Sequence, residues 1–138
     1  MDIANRFTAL LTTPFVPALG CCVDLIESLK SVEAQTMEHG EIETMIFAEG
    51  MELMRLMLQG HMDHRHNLEV RQQQFTGADG KIRTHCRTEC QRQLESVFGT
   101  VVITRIGYEG PGLKCVYPLD AALNLPKDRY SHGGAASK

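Results

Sequence analysis

The chain has 138 residues, 43% of them hydrophobic and 22% charged, with a formal net charge of −3, a composition that fits one globular domain. No apolar run approaches the roughly 18–20 residues that cross a bilayer, and the patch from Phe7 to Leu11 lacks the basic flank and small-residue cleavage site of a secretory signal; a soluble, cytoplasmic chain without a membrane partner is expected. Residues 1–64 carry three basic and ten acidic side chains, a net −7, whereas residues 65–138 carry eleven basic and seven acidic, a net +4, an excess too thin to establish nucleic-acid binding on charge alone.

In chain order, residues 1–20 contain Thr12-Thr13-Pro14, Pro17 and Gly20, breakers that predict a flexible arm. Leu25, Ile26, Leu29 and Val32 recur at helical spacing within Asp24 to Glu38, and His39-Gly40 reads as the cap that ends that helix. The strongest signal runs from Glu41 to about Gln73, where Ile42, Met45, Ile46, Leu53, Met54, Leu56, Met57 and Leu58 form one stripe opposite Glu41, Glu43, Glu49, Glu52 and Arg55. Gly50 and Gly60 each cost this helix about 1 kcal/mol relative to alanine, which asks for close approach of another helix or a kink. Met45, Met51, Met54, Met57 and Met62 fall here too, and their adaptable side chains suit either a core or a homodimer face.

Beyond Gly77-Ala78-Asp79-Gly80 the period shortens toward two, predicting strands over Ile82 to Thr88, Arg92 to Phe98, Thr100 to Tyr108 and Lys114 to Tyr117. Phe98-Gly99 and Glu109-Gly110-Pro111-Gly112 supply the reversals, while Glu89 to Ser96 would also make a short helix. Asp120 to Leu125 reads as a helical turn after Pro118, stopped by Pro126. The expected fold class is therefore α+β: N-terminal helices with one long amphipathic member, a small antiparallel β-meander and a short C-terminal helical turn. The regions are an arm over 1–20, a helical region over 21–74, the meander with its short helix over 81–126, and a disordered tail over 127–138.

Candidate chemistry is sparse. His61 and His64 share a helical face but His66 does not, so with Asp63 they read as a solvated helix end. His85, Cys86 and Cys90 make the other metal-like set, and Cys86 and Cys90 have zinc-compatible spacing, yet Cys115 stands without the partner a four-ligand site needs. The five cysteines, an odd number, read as reduced thiols. Neither a nucleophile elbow nor a phosphate loop nor a dinucleotide fingerprint occurs, so no enzyme, no metal and no cofactor are expected.

Val97-Phe98-Gly99 with Val101, Arg105 and Tyr108, followed by Tyr117-Pro118-Leu119-Asp120-Ala121-Ala122-Leu123-Asn124-Leu125-Pro126 and Tyr130-Ser131-His132-Gly133, resembles the N-terminal region of ISKra4-type insertion-sequence transposases and, more distantly, ISLre2-like ones. Glu49-Gly50-Met51-Glu52-Leu53, Leu58-Gln59-Gly60-His61-Met62-Asp63 and the Gly77-to-Thr84 turn extend the likeness over roughly residues 41–133. Members of that family cut and join DNA with an acidic metal-binding triad in an RNase H-like domain. The resemblance places that domain downstream of the matched region, so no catalytic carboxylate carries over, and this chain is expected to be a non-catalytic fragment truncated before it. Its implied role is DNA binding or self-association in DNA transposition, with Arg83, Arg87, Arg92 and Arg105 offered to phosphates and Arg83 and Arg87 sharing a strand face. A structural module that pairs through the Met-rich helix without touching DNA is the alternative.

Overall fold

The structure, a computed structural model, describes residues 2–129 and divides into two compact units, Met1–His61 and Met62–Lys138. Its class is α+β. Helices α1 (Ile3–Ala9), α2 (Val16–Lys30), α3 (Val32–Gln35) and α4 (His39–Asn67) precede strands β1 (Phe75–Thr76), β2 (Ile82–Arg83), β3 (His85–Ser96) and β4 (Gly99–Glu109), and α5 (Pro118–Ala122) closes the order.

In the first unit, the segment expected to be a flexible arm is helical. Asp2 caps α1 by accepting from the Asn5 amide at 2.8 Å, and the two prolines that argued against a helix fall where proline is tolerated. Pro14 lies between elements and Pro17 occupies the first turn of α2, where its missing N–H has no intrahelical role. The helix expected over Asp24 to Glu38 starts earlier and breaks at Ser31, whose extended backbone and side-chain oxygen, accepting from the Ala34 amide at 3.2 Å, end α2 and cap α3. His39-Gly40, expected as a stop, opens α4 instead: Glu41 accepts from the Glu38 amide at 3.3 Å and His39 lies 2.6 Å from Glu43 one turn on. Gly60 has a reason of its own, because a Cβ there would stand 2.8 Å from the Phe15 ring and 3.1 Å from the Pro14 carbonyl oxygen. At Gly50 a Cβ would meet nothing within 4 Å, so none of the described residues uses the closeness that glycine permits.

The second unit is built on the β3–β4 hairpin. Val97 and Phe98 form its two-residue turn, Gly99 takes a φ of 124°, and the Ser96 hydroxyl donates to the Gly99 carbonyl at 2.6 Å. Pairing runs from Ser96↔Gly99 to His85↔Glu109, with a bulge between Arg87 and Cys90 that puts one extra residue on β3. That bulge joins two expected segments into one twelve-residue strand and excludes the helical alternative over Glu89 to Ser96. Ile82-Arg83 pairs instead with Phe75-Thr76 in a separate two-stranded sheet, so the expected single meander is two small antiparallel sheets. The Lys114-to-Tyr117 strand reduces to one bridge, Val116 to Tyr108.

Leu94, Val101, Ile103, Ile106, Tyr108, Leu119 and Met62 are buried in this unit. Helix α4 stops short of the expected Gln73 because the residues after it bond to β4. Glu69 accepts from the Ile106 amide at 3.1 Å, the Tyr108 hydroxyl accepts from the Gln72 amide at 3.0 Å, and Phe75 stacks on Tyr108 with ring centres 5.2 Å apart. Residues 127–129, assigned in sequence to a disordered tail, are tied to β3: the Arg129 carbonyl accepts from the Glu95 amide, and its guanidinium donates to Glu95 at 2.6 Å. Residues 130–138, including Tyr130-Ser131-His132-Gly133, lie outside the described residues.

Two carboxylates give this unit a defined acid response. Arg83, with the Lys81 amide second, holds Asp79 well below the usual carboxylate range, and the Thr100 hydroxyl, with Arg129 second, lowers Glu95. A carboxylate lowered in the folded state contributes stability that is complete above its unfolded pKa of about 4 and is lost as pH falls through the folded value. Urea unfolding followed by circular dichroism is expected to give constant stability from about pH 7 to 5 and a decline below about pH 4, shallower in Asp79→Asn. Equal slopes in wild type and variant would remove Asp79 from this account.

Candidate functional site

The four arginines singled out in sequence have different fates. Arg83 is only 2% exposed; it donates to Asp79 through both terminal nitrogens at 3.0 Å and to the Lys114 carbonyl at 2.8 Å. A Cβ at Gly77 would collide with its guanidinium, which explains the glycine there. Arg83 belongs to β2 and Arg87 to β3, so the shared strand face expected for them does not form.

Arg92 and Arg105 converge on Asp120 in the first turn of α5. Arg105 Nε donates to Asp120 Oδ1 at 3.1 Å and Arg92 Nη1 to Oδ2 at 3.3 Å. Arg105 also donates to the Cys90 carbonyl at 2.8 Å and lies over the Tyr117 ring, its guanidinium carbon 3.9 Å from the centroid. Arg92 donates to the Pro126 carbonyl at 2.9 Å and to that of Asp128. The Tyr117 hydroxyl is pushed above the ordinary phenol value by its hydrogen bond with the Cys115 thiol, and burial adds to the effect.

Arg92, Arg105, Tyr117 and Asp120 line an open cleft of about 690 Å³ whose wall also includes Lys127, Asp128 and Arg129. The cleft is cationic in composition, but Arg92 and Arg105 satisfy carbonyls and a carboxylate inside the fold, which withdraws them from phosphates. Arg87, 64% exposed and 3.5 Å from Glu109, remains directed at solvent, as does Arg129 beside Glu95. Of the four sequence candidates, then, three hold the hairpin unit together and one stands at the surface. Sequence reasoning missed Asp120 as the common partner of Arg92 and Arg105, although its place two residues after Pro118, at a helix start, is where an acceptor for cations is favoured.

His66 leaves the histidine group by pairing with Glu69 at 2.9 Å. Among the described residues no three His, Cys, Asp or Glu side chains gather as a metal site would require, and no helix is long and apolar enough to cross a membrane.

A second candidate lies on the helical unit. Among residues 2–61 the buried hydrophobic side chains are Ala18 and Ala34, whereas Ile3, Leu11, Ile26, Val32, Ile46, Phe47, Met54 and Met57 are exposed. On α4, at 3.6 residues per turn, Ile46, Phe47, Gly50, Met54 and Met57 fall within about 100° of one another and form a continuous apolar row. Glu43 and His61 bracket that row on the same bearing, both exposed. Comparison with protein-family models, curated proteins and solved structures finds no match to this chain.

Proposed function

We propose that this chain is a non-catalytic self-association module, and that its setting is the DNA transposition its C-terminal motifs suggest. The observation that carries the reading is the helical unit's surface: large apolar side chains outside, two alanines inside. Patches of this kind on a water-soluble unit mark interaction sites, and methionines fit partner surfaces that are not flat.

A second copy of the chain is the occupant favoured by charge. Glu43 and His61 stand eighteen residues apart, about five helical turns, with Gly50 and Met54 near the midpoint. An antiparallel partner helix therefore sets each acidic end against the other copy's histidine, and the bare backbone at Gly50 lets the two axes approach. Such a pair is isologous, so every contact counts twice.

Sedimentation velocity over a hundredfold range of concentration tests this. The expected result is a monomer–dimer equilibrium; a monomer at every concentration overturns it. Fluorescence anisotropy with a labelled duplex decides the DNA-binding reading, favoured by the exposure of Arg87 and by Lys127 and Arg129 at the cleft. With Arg83, Arg92 and Arg105 engaged inside the fold, the chain is expected to bind duplex DNA weakly and to lose that binding by about 0.2 M salt. Tight, salt-resistant binding would require another interface.

A further inference from the structure

Gly107, in the buried part of β4, has an unusual set of neighbours. A Cβ placed there would stand 2.8 Å from Cys115 Sγ, 2.8 Å from the Tyr117 ring and 3.2 Å from Cys90 Sγ. The two sulfurs lie on those short distances from a single point, so they are separated by no more than the sum, about 6 Å. Glycine is what opens this space: any side chain would fill the gap between the thiols.

The strands explain the meeting. Cys90 pairs with Arg105 on the β3 side of β4, while Cys115 precedes the Val116 bridge to Tyr108 on the other side. Both side chains therefore reach over β4 toward Gly107. Backbones on opposite sides of one strand stand about 9–10 Å apart, beyond the Cα separation of about 7 Å that a disulfide spans. An ion between the sulfurs relaxes that requirement: with metal–sulfur bonds of about 2.3 Å, two sulfurs on opposite sides of one ion are about 4.6 Å apart. No third His, Cys, Asp or Glu among the described residues joins them, so the pair offers two ligands, which suits a soft monovalent ion and not tetrahedral zinc.

We propose that Cys90 and Cys115 form a two-coordinate thiolate site for a soft, thiophilic ion of the Cu(I) type. On binding, each thiol releases its proton to solvent as its sulfur takes the ion, leaving one net negative charge on the S–Cu–S unit. Arg105 is placed to balance it, held by its bond to the Cys90 carbonyl, and Asp120 is already shared between Arg105 and Arg92, so that group of three retains one positive charge. A cavity of about 340 Å³ lined by Arg87, Glu89, Cys90, Gln91, Arg105 and Tyr117 gives access to the Cys90 side.

The test is anaerobic competition for Cu(I) against the coloured bicinchoninate complex, using the full chain with Cys21→Ser, Cys22→Ser and Cys86→Ser so that the pair alone remains. One equivalent per chain is expected, weakened at least a hundredfold by a further Cys90→Ser or Cys115→Ser. Gly107→Ala keeps both thiols but places a methyl between them, and is expected to weaken uptake about tenfold with the circular dichroism spectrum unchanged. Copper uptake indifferent to either serine substitution overturns the proposal. So does formation of a Cys90–Cys115 disulfide when the reduced, desalted chain is opened to air, dioxygen taking the two electrons, because the strands would then be close enough to link directly.

Discussion

Asp120→Ala is expected to destabilise the hairpin unit by about 3 kcal/mol or more, the range seen when one partner of a buried ion pair is removed. Two guanidiniums meet on this carboxylate, and the side chains of Arg105 and Arg92 are only 7% and 18% exposed. Without Asp120 they keep their carbonyl acceptors but face each other as like charges at the wall of the cleft, so the loss includes repulsion as well as two bonds. For a unit of 60–100 residues each 1 kcal/mol moves the melting temperature by about 4–8 °C, so a fall of roughly 12 °C or more is expected by thermal circular dichroism. Asp120→Asn separates charge from shape: the amide oxygen still accepts one hydrogen bond, yet most of the loss should remain because the compensating charge is gone. Arg92→Ala in the Asp120→Ala background is expected to recover part of the deficit, since one of the two opposed charges disappears. A fall below about 4 °C for Asp120→Ala would mean that the cluster is open to water in solution.

The same cluster marks how far the sequence was legible. The long helix, the Phe98-Gly99 reversal and the helical turn after Pro118 all follow from local signals, because periodicity, positive φ and proline at a first turn are local constraints. The helical N-terminus was not legible from breaker counting alone, since proline at a first turn supports a helix and proline in its middle opposes one. Nor was the division into two sheets. Thr84 separates β2 from β3, and beside it Arg83 is held by Asp79 and the Lys114 carbonyl, partners 4 and 31 positions away. The roles of the arginines were hidden for the same reason: whether Arg92 and Arg105 face phosphate or carboxylate depends on Asp120, 28 and 15 residues distant. The thiol pair was concealed by spacing, for Cys90 and Cys115 share no motif and meet only because two chain segments flank one glycine.

Phe47→Asp is expected to abolish dimer formation while leaving the monomer as stable as before. Phe47 is 72% exposed in the single chain, and surface substitutions of this kind change folding stability by about 0.5 kcal/mol or less. At an interface the same side chain is an aromatic anchor, for which truncation costs about 2 kcal/mol or more, and two-fold symmetry applies that cost once from each copy. The total of about 4 kcal/mol corresponds to a dissociation constant raised by about three orders of magnitude. Met54→Asp should act in the same direction, whereas Val32→Asp, exposed on α3 and off the α4 row, should leave the equilibrium unchanged. Gly50→Leu probes the close approach separately: a Cβ there meets nothing within the chain, so any large loss of dimer must come from the partner. These variants are compared by sedimentation velocity at one concentration above the wild-type midpoint, with urea unfolding at low concentration to report on the monomer. If Phe47→Asp sediments as wild type does, the α4 row is not the interface; if Val32→Asp dissociates the dimer as fully, the contact lies elsewhere on the helical unit.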